Sequence, residues 1–290
     1  MSQLDYVAPA SAEEAARALA AGGTLAKVLA GGTDLLVQLR AGRLAPGTIV
    51  DVKRIPGVIG IREEDGGFVI GGATPGALIG EHEALTRAWP GVVEAATLIG
   101  STQIQGRASL AGNLCNASPA ADSVPALIAA SATCVVVGPE GRRTVAADAI
   151  AVAPGLTSLG PGEFVFEIRL PPRPPRSADA YLRSIPRTEM DIAVVGAGVN
   201  LSLDAGGLVC EARVALGAVA PTVILSEAAA AALVGTRVDE AALANLDAAA
   251  REACSPISDK RGTALFRTKI AGVLARRTAI IAFARAGERA

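Results

Sequence analysis

Two short segments of small residues carry the chemistry that this sequence offers. The first is Leu29-Ala30-Gly31-Gly32-Thr33-Asp34-Leu35-Leu36 and the second is Ser109-Leu110-Ala111-Gly112-Asn113. Glycines that follow a strand let the main chain come close to a phosphate, and the N–H groups at a helix start carry partial positive charge. An ordinary helix-start turn, capped by Thr33 or Asp34, also uses such a Gly-Gly pair, so the first segment alone does not decide. It is neither GxGxxG nor a P-loop, since no Lys-Ser/Thr follows. After the second segment comes Pro119-Ala120-Ala121-Asp122-Ser123. Asp122 has two readings there: it accepts from ribityl or ribose hydroxyls, or it caps the next helix.

Other chemistries lack their parts. Cys115, Cys134, Cys210 and Cys254 are dispersed, with no CxxC spacing. That argues against a zinc or iron–sulfur site and against a disulfide framework. The one histidine, His82, stands between Glu81 and Glu83 and reads as a solvated helical residue. No catalytic side chain and no metal ligand is assigned. The 290 residues are 51% hydrophobic, 19% charged and 3% aromatic, with a formal charge of -1. This excludes disorder, a bulk field for nucleic acid or an anionic membrane, and an aromatic platform for single strands. The longest apolar run, Val124 to Val137, is shorter than the roughly 20 residues of a membrane span. No basic segment followed by an apolar run opens the chain, so it is expected to be soluble and cytoplasmic.

The elements that must position the two segments follow from periodicity. Ser11 and Glu14 form a capping-box pattern for a helix through Leu19 that ends at Gly22-Gly23. Leu25 to Leu29 reads as a strand, Leu35 to Leu39 as a helix and Ile49 to Val52 as a strand. Val58 to Ile61 and Phe68 to Ile70 read as a hairpin turned at Asp65-Gly66-Gly67. A helix over Val92 to Ile99 leads into the polar stretch Gly100 to Gln105. A further helix ends at Ala130, and Thr133 to Val137 and Glu163 to Leu170 are strands. Pro171-Pro172-Arg173-Pro174-Pro175 fits neither helix nor sheet interior and is the candidate linker. Beyond it, Tyr181 to Ile185, Ile192 to Leu203 and Leu208 to Val219 read as antiparallel strands. Helices follow at Glu227 to Leu233, Glu240 to Cys254 and Thr263 to Ala286.

Taken together and in order, these motifs resemble the FAD-binding medium subunit of the molybdenum hydroxylases. That family holds carbon monoxide dehydrogenase medium chains and the flavin module of xanthine dehydrogenase. Ala30-Gly31-Gly32-Thr33-Asp34-Leu35 stands in the place of the family's first FAD loop. Gln103 to Leu114 resembles the second loop, which usually ends Thr-Ile-Gly-Gly-Asn, and Pro119 to Asp122 resembles its aspartate segment. Tyr181 to Arg187 with Asp191-Ile192-Ala193, then Cys254 to Asp259 with the last helix, resemble its C-terminal part. The likeness covers nearly the whole chain.

The resemblance implies an α+β protein. A two-lobed FAD-binding domain of PCMH type would span residues 1–172, with lobes of about 1–54 and 55–172. A smaller domain of antiparallel sheet and helices would span 173–290. The FAD diphosphate would lie across the backbone of residues 29–36 and 109–113, with Asp122 on the sugar-like part and Ile99 and Val165 as apolar contacts. Arg183 stands where relatives can carry Lys, and a cation there would stabilise an anionic reduced flavin or the diphosphate. Ala111 departs from the usual Gly, at a cost of about 1 kcal/mol if that residue needs a positive φ. Ser109 keeps the hydroxyl of the usual Thr, and Gly106-Arg107 departs from the usual Arg-Asn-Arg. No inserted cysteine segment for a [4Fe–4S] cluster is present.

The function implied is that of an FAD-carrying electron-transfer subunit. A large partner would hold the molybdopterin cofactor and a small partner the [2Fe–2S] clusters, as a dimer of heterotrimers. Electrons would leave to an external acceptor. Two alternatives stand beside it: a flavin-free structural subunit, with Ala111 as the symptom, and a stand-alone flavin oxidoreductase. The second lacks the polar anchors and base it would need, since His and Tyr are scarce.

Overall fold

The structure is a computed structural model that describes residues 4–289, so both ends of the expected domains, and the opening Met1 to Gln3, lie outside the described residues. The chain begins β1 (Asp5–Val7), α1 (Ala12–Gly22), β2 (Ala26–Leu29), α2 (Leu35–Arg40), β3 (Thr48–Asp51). The capping box forms: Glu14 N–H donates to Ser11 Oγ at 3.2 Å, and the Glu14 carboxylate accepts from Ala10 N–H at 3.0 Å. The three strands make a parallel sheet in the order β1-β3-β2, and α1 buries Ala12, Ala15, Ala16 and Leu19 in the core that this lobe shares with Val137 and Phe164. In a parallel sheet all carboxyl ends face one edge, and that is where ligands of such sheets bind. Residues 30–34 leave the sheet at that edge.

The second unit contains β4 (Ile61–Glu64), β5 (Gly67–Gly71), then α3 (Gly76–Glu81), α4 (Glu83–Ala88), α5 (Pro90–Thr97), α6 (Thr102–Gln105), α7 (Leu110–Cys115) and α8 (Ser123–Ala129). After them come β6 (Thr133–Gly138), β7 (Gly141–Ala146), β8 (Ala151–Ala153), β9 (Leu156–Thr157) and β10 (Phe164–Leu170). Its antiparallel sheet has the order β4-β5-β10-β6-β7, and the helices cover it through a core that includes Trp89, Leu110, Leu114, Leu127 and Ile168. The hairpin turn is the two-residue kind expected of Asp-Gly, with both Asp65 and Gly66 at positive φ. Its first strand lies three residues later than Val58 to Ile61, because Gly57 and Gly60, at φ 84° and 128°, turn the chain and Val58 drops fully into the core.

Two more local readings change. His82 is half-buried rather than solvated: it sits in the break between α3 and α4, and its Nδ1 accepts from Leu85 N–H at 3.1 Å. The segment 109–113, read as exposed backbone, is the first turn of α7, and the polar stretch before it contains α6.

The last unit is β11 (Ser177–Ser184), β12 (Val195–Leu203), β13 (Val209–Gly217), β14 (Ile224–Leu225), α9 (Glu227–Ala231), α10 (Glu240–Glu252) and α11 (Ala264–Glu288). The strands form one antiparallel sheet in chain order, with α11 laid along β11 and β12. The opposite face of the sheet meets α5 and α8 at glycines. A Cβ on Gly91 would stand 2.8 Å from the Ala180 backbone, and one on Gly198 would stand 2.5 Å from the Pro125 carbonyl. The proline segment is irregular, as expected, yet it is no free linker. Arg173 is buried in it, 2.7 Å from Asp179 and with its guanidinium 3.5 Å from the Trp89 ring centre. Among the described residues no helix is long and apolar enough to cross a membrane.

Candidate functional site

A cleft of about 650 Å³ runs between the parallel lobe and the antiparallel sheet, within the range of about 300–1,000 Å³ common to small-molecule sites. Three chain segments wall it. The first is the turn after β2, where Ala30 to Leu35 face the cleft. Its two glycines serve different needs. A Cβ on Gly31 would overlap the Arg107 carbonyl, so the first segment and the approach to the second touch backbone to backbone. Gly32 has φ 77°, a left-handed conformation that glycine takes without strain. Among the described residues the N–H groups of Gly31, Gly32, Thr33 and Asp34 find no acceptor, which leaves four donors in one turn for a ligand.

The second wall is Ala108 to Asn116. Ser109 caps α7, its hydroxyl accepting from Gly112 N–H at 3.1 Å. Ala111 has an ordinary helical backbone and a buried side chain, so the expected cost of a methyl at a positive φ does not arise. The third wall is Gly155 to Val165, with Thr157 and Gly160 to Glu163. Apart from Val165, sequence reading missed it, although Gly and Pro at residues 154, 155, 160, 161 and 162 were a signal of exposed main chain. Lys27, Gln38 and Asn116 on the walls were missed as well.

Of the residues the sequence singled out, Ala30, Gly31, Gly32, Thr33, Asp34, Leu35, Ile99, Ser109, Ala111, Gly112, Asn113 and Val165 come together on this cleft. Leu29, Leu36, Leu110, Asp122 and Arg183 do not form its wall. Leu29 is the last residue of β2 and Leu36 turns outward on α2, while Leu110 is buried in the helical core. Asp122 and Arg183 pair with each other at 2.7 Å behind Asn113, whose Oδ1 accepts from the N–H and hydroxyl of Ser123. Tyr181 donates its hydroxyl to Asp122 at 3.1 Å. Burial pushes the Asp122 carboxyl up to about 6, against the pull of the Arg183 charge and the Tyr181 hydrogen bond. Its side chain makes no cap bond to α8.

Asp34 faces the cleft without a cap bond to α2, and burial raises its carboxyl above the ordinary value, while Glu163 and Asp51 are tied into the structure. Glu163 is held below the usual carboxylate range by its hydrogen bond from Arg143 and, less strongly, by Gly160 N–H. Burial alone would raise Asp51, beneath the first wall, but hydrogen bonds from Lys53 and Tyr6 outweigh it and hold the carboxyl low. Cys115 lines the cleft, and burial pushes its thiol up to about 12, so it is no nucleophile at neutral pH. Among the described residues no group of three or more His, Cys, Asp or Glu is placed to hold a metal. What this arrangement offers is a turn of main-chain N–H donors suited to an anionic group.

Comparison with known proteins gives the class. Residues 2–173 match the family described as FAD binding domain in molybdopterin dehydrogenase, and residues 180–282 match the CO dehydrogenase flavoprotein C-terminal domain. The chain belongs to the FAD-binding medium subunits of the molybdenum hydroxylases. Among such medium subunits it is 34% identical to the carbon monoxide dehydrogenase medium chain of Hydrogenophaga pseudoflava over 98% of each chain. It is 36% identical to that of Afipia carboxidovorans over 97% of each. A putative xanthine dehydrogenase FAD-binding subunit of Escherichia coli is 31% identical over 90% of each. The fold is similar to a solved Cu,Mo-CO dehydrogenase chain with a TM-score of 0.93 at 35% identity, covering 98% of each chain. This medium subunit is therefore an α+β oxidoreductase component with an FAD-binding domain. The cleft suits that cofactor on its own geometry: among the described residues the N–H groups of Gly31 to Asp34 have no acceptor, in a turn that lines a space of the right order.

Proposed function

We propose that the cleft holds FAD, with its pyrophosphate on the turn Ala30 to Leu35 and along Ser109 to Asn113, and that the chain passes electrons onward from a partner. The domain division that goes with this reading is 1–172, in lobes of about 1–54 and 55–172, and 173–290. Bound there, FAD supplies a carrier that accepts electrons singly and releases them as a pair. The chain's own residues bind, orient and exclude water. The Gly31 to Asp34 N–H groups meet negative oxygens, Ile99 and Val165 supply apolar wall, and Asn113 connects the wall to the Asp122–Arg183 pair. Leu29, Leu36 and Leu110 support the loops from behind. Asp122 and Arg183, paired at 2.7 Å, would supply the sugar acceptor and the cation of this reading.

In this reading the substrate is oxidised at molybdenum in a large partner. Electrons arrive from [2Fe–2S] clusters of a small one, in a cytoplasmic dimer of heterotrimers, and leave to an external acceptor. The single observation that carries the reading is the contact of Gly31 with the Arg107–Ala108 backbone, which joins two segments far apart in sequence into one cradle. The test is to purify the chain with whatever copurifies and to release the cofactor by denaturation. Stoichiometric FAD beside a molybdopterin chain and an iron–sulfur chain is the expected result; a complex that releases no FAD overturns the reading.

A further inference from the structure

The turn that faces the cleft is fastened from below. β2 and β3 run parallel with Leu29 opposite Asp51, and both strands stop at that register. One residue on, Ala30 has left the ladder, since the chain after β3 coils into a tight turn over Val52–Arg54. Its carbonyl would be an open acceptor, and Lys53 takes it, with Nζ 3.0 Å away. The same ammonium lies 2.7 Å from Asp51 Oδ1, and the Tyr6 hydroxyl donates to Asp51 Oδ2 at 2.6 Å. A chain of hydrogen bonds from β1, through the end of β3, thus terminates on the residue that begins the glycine turn.

The peptide unit gives this contact its reach. A trans peptide is planar, and its C=O and N–H point in opposite directions. Holding the Ala30 carbonyl toward Lys53 therefore aims the Gly31 N–H the other way. Ala30 and Gly31 line the cleft and Lys53 does not. We infer that Lys53 is a positioning residue for dinucleotide binding: it clamps the Ala30 carbonyl so that the N–H groups of the glycine turn face the pyrophosphate. The inference rests on the reading that FAD occupies the cleft. Because the ammonium is already paired with Asp51, its effect passes through the loop rather than through direct attraction to phosphate.

The test uses the full-length chain with its partner chains, stripped of flavin and titrated with FAD while flavin fluorescence is followed. Lys53→Met is expected to weaken FAD binding about ten- to a hundredfold, the scale of a lost charge-assisted hydrogen bond. Lys53→Arg, which keeps a charged donor, is expected to stay within about threefold, and Tyr6→Phe to lose a few-fold. The loss in Lys53→Met is expected to be the same at low and high salt. An unchanged FAD affinity in Lys53→Met overturns the inference. So does a loss that fades as salt is raised, since screening would mark direct charge attraction. If Lys53→Met does not fold, Tyr6→Phe decides, and unaltered affinity there overturns it too. Failure of the underlying reading looks different, because the unsubstituted chain would then take up no FAD.

Discussion

The two segments of small residues on the cleft resemble each other in composition and differ in how they are built. Residues 30–34 form an irregular turn that only glycine can make, by close approach at Gly31 and by a left-handed backbone at Gly32. Residues 109–113 form a regular helix start with a serine cap, where any small residue fits. Smallness is a backbone requirement in the first segment and a matter of cleft shape in the second. Ala111 therefore carries no backbone penalty.

Substitutions sharpen this contrast in order of size. Gly31→Ala forces a methyl into the Arg107 carbonyl, so the two walls must separate. FAD retention is expected to be lost, and the melting temperature to fall by the equivalent of about 1–3 kcal/mol or more, as overpacking does. Retained flavin with an unshifted melting curve would show that the walls do not depend on each other. Ser109→Ala removes only a cap and is expected to cost about 1 kcal/mol of stability in denaturant titration. Ala111→Gly restores the more usual residue but loosens a helix. It is expected to lower stability by up to about 1 kcal/mol and leave FAD affinity within twofold. A marked gain in affinity would return Ala111 to the status of a defect.

Acid titration gives the smallest and most distributed effect. Asp51 and Glu163 ionise more readily in the folded chain than at their ordinary values of 3.8 and 4.5. Their contribution is complete above those values and is lost as the pH falls through the lower folded ones. Asp122 has the opposite sign: raised from 3.8 to about 6, it favours the folded chain as it takes up its proton. The melting temperature, followed by circular dichroism, is thus expected not to fall between neutral pH and about pH 5, and to drop below pH 4.5. A steady fall from neutral pH would contradict the placement of these carboxylates.

Much of the fold was legible because local signals agreed with tertiary packing. The Ser11 capping box, the Asp65-Gly66 turn and the β-branched run at Thr133 to Val137 all form as their residues dictate. The misreadings have a common physical cause. Short helices such as α6 and α7 are too brief for periodicity to register, and α7 is held by its Ser109 cap and by the core around Leu110 and Leu114. Within the cleft, the first wall was readable from its glycines. Lys53 was not, because its role depends on two strands ending in register, which spacing cannot reveal. Asp122 and Arg183 were each singled out in the sequence, but they lie 61 residues apart and only the structure pairs them.

The buried arginine of the proline segment bears on how such a subunit meets its neighbours. Arg173 stacks on Trp89 and pairs with Asp179, while Arg289 at the far end of the chain reaches the carbonyls of Ala88 and Ser177. Contacts from both ends of the second half thus close on the first, and a swing of one half against the other would have to break a stacked guanidinium, an ion pair and two carbonyl contacts together.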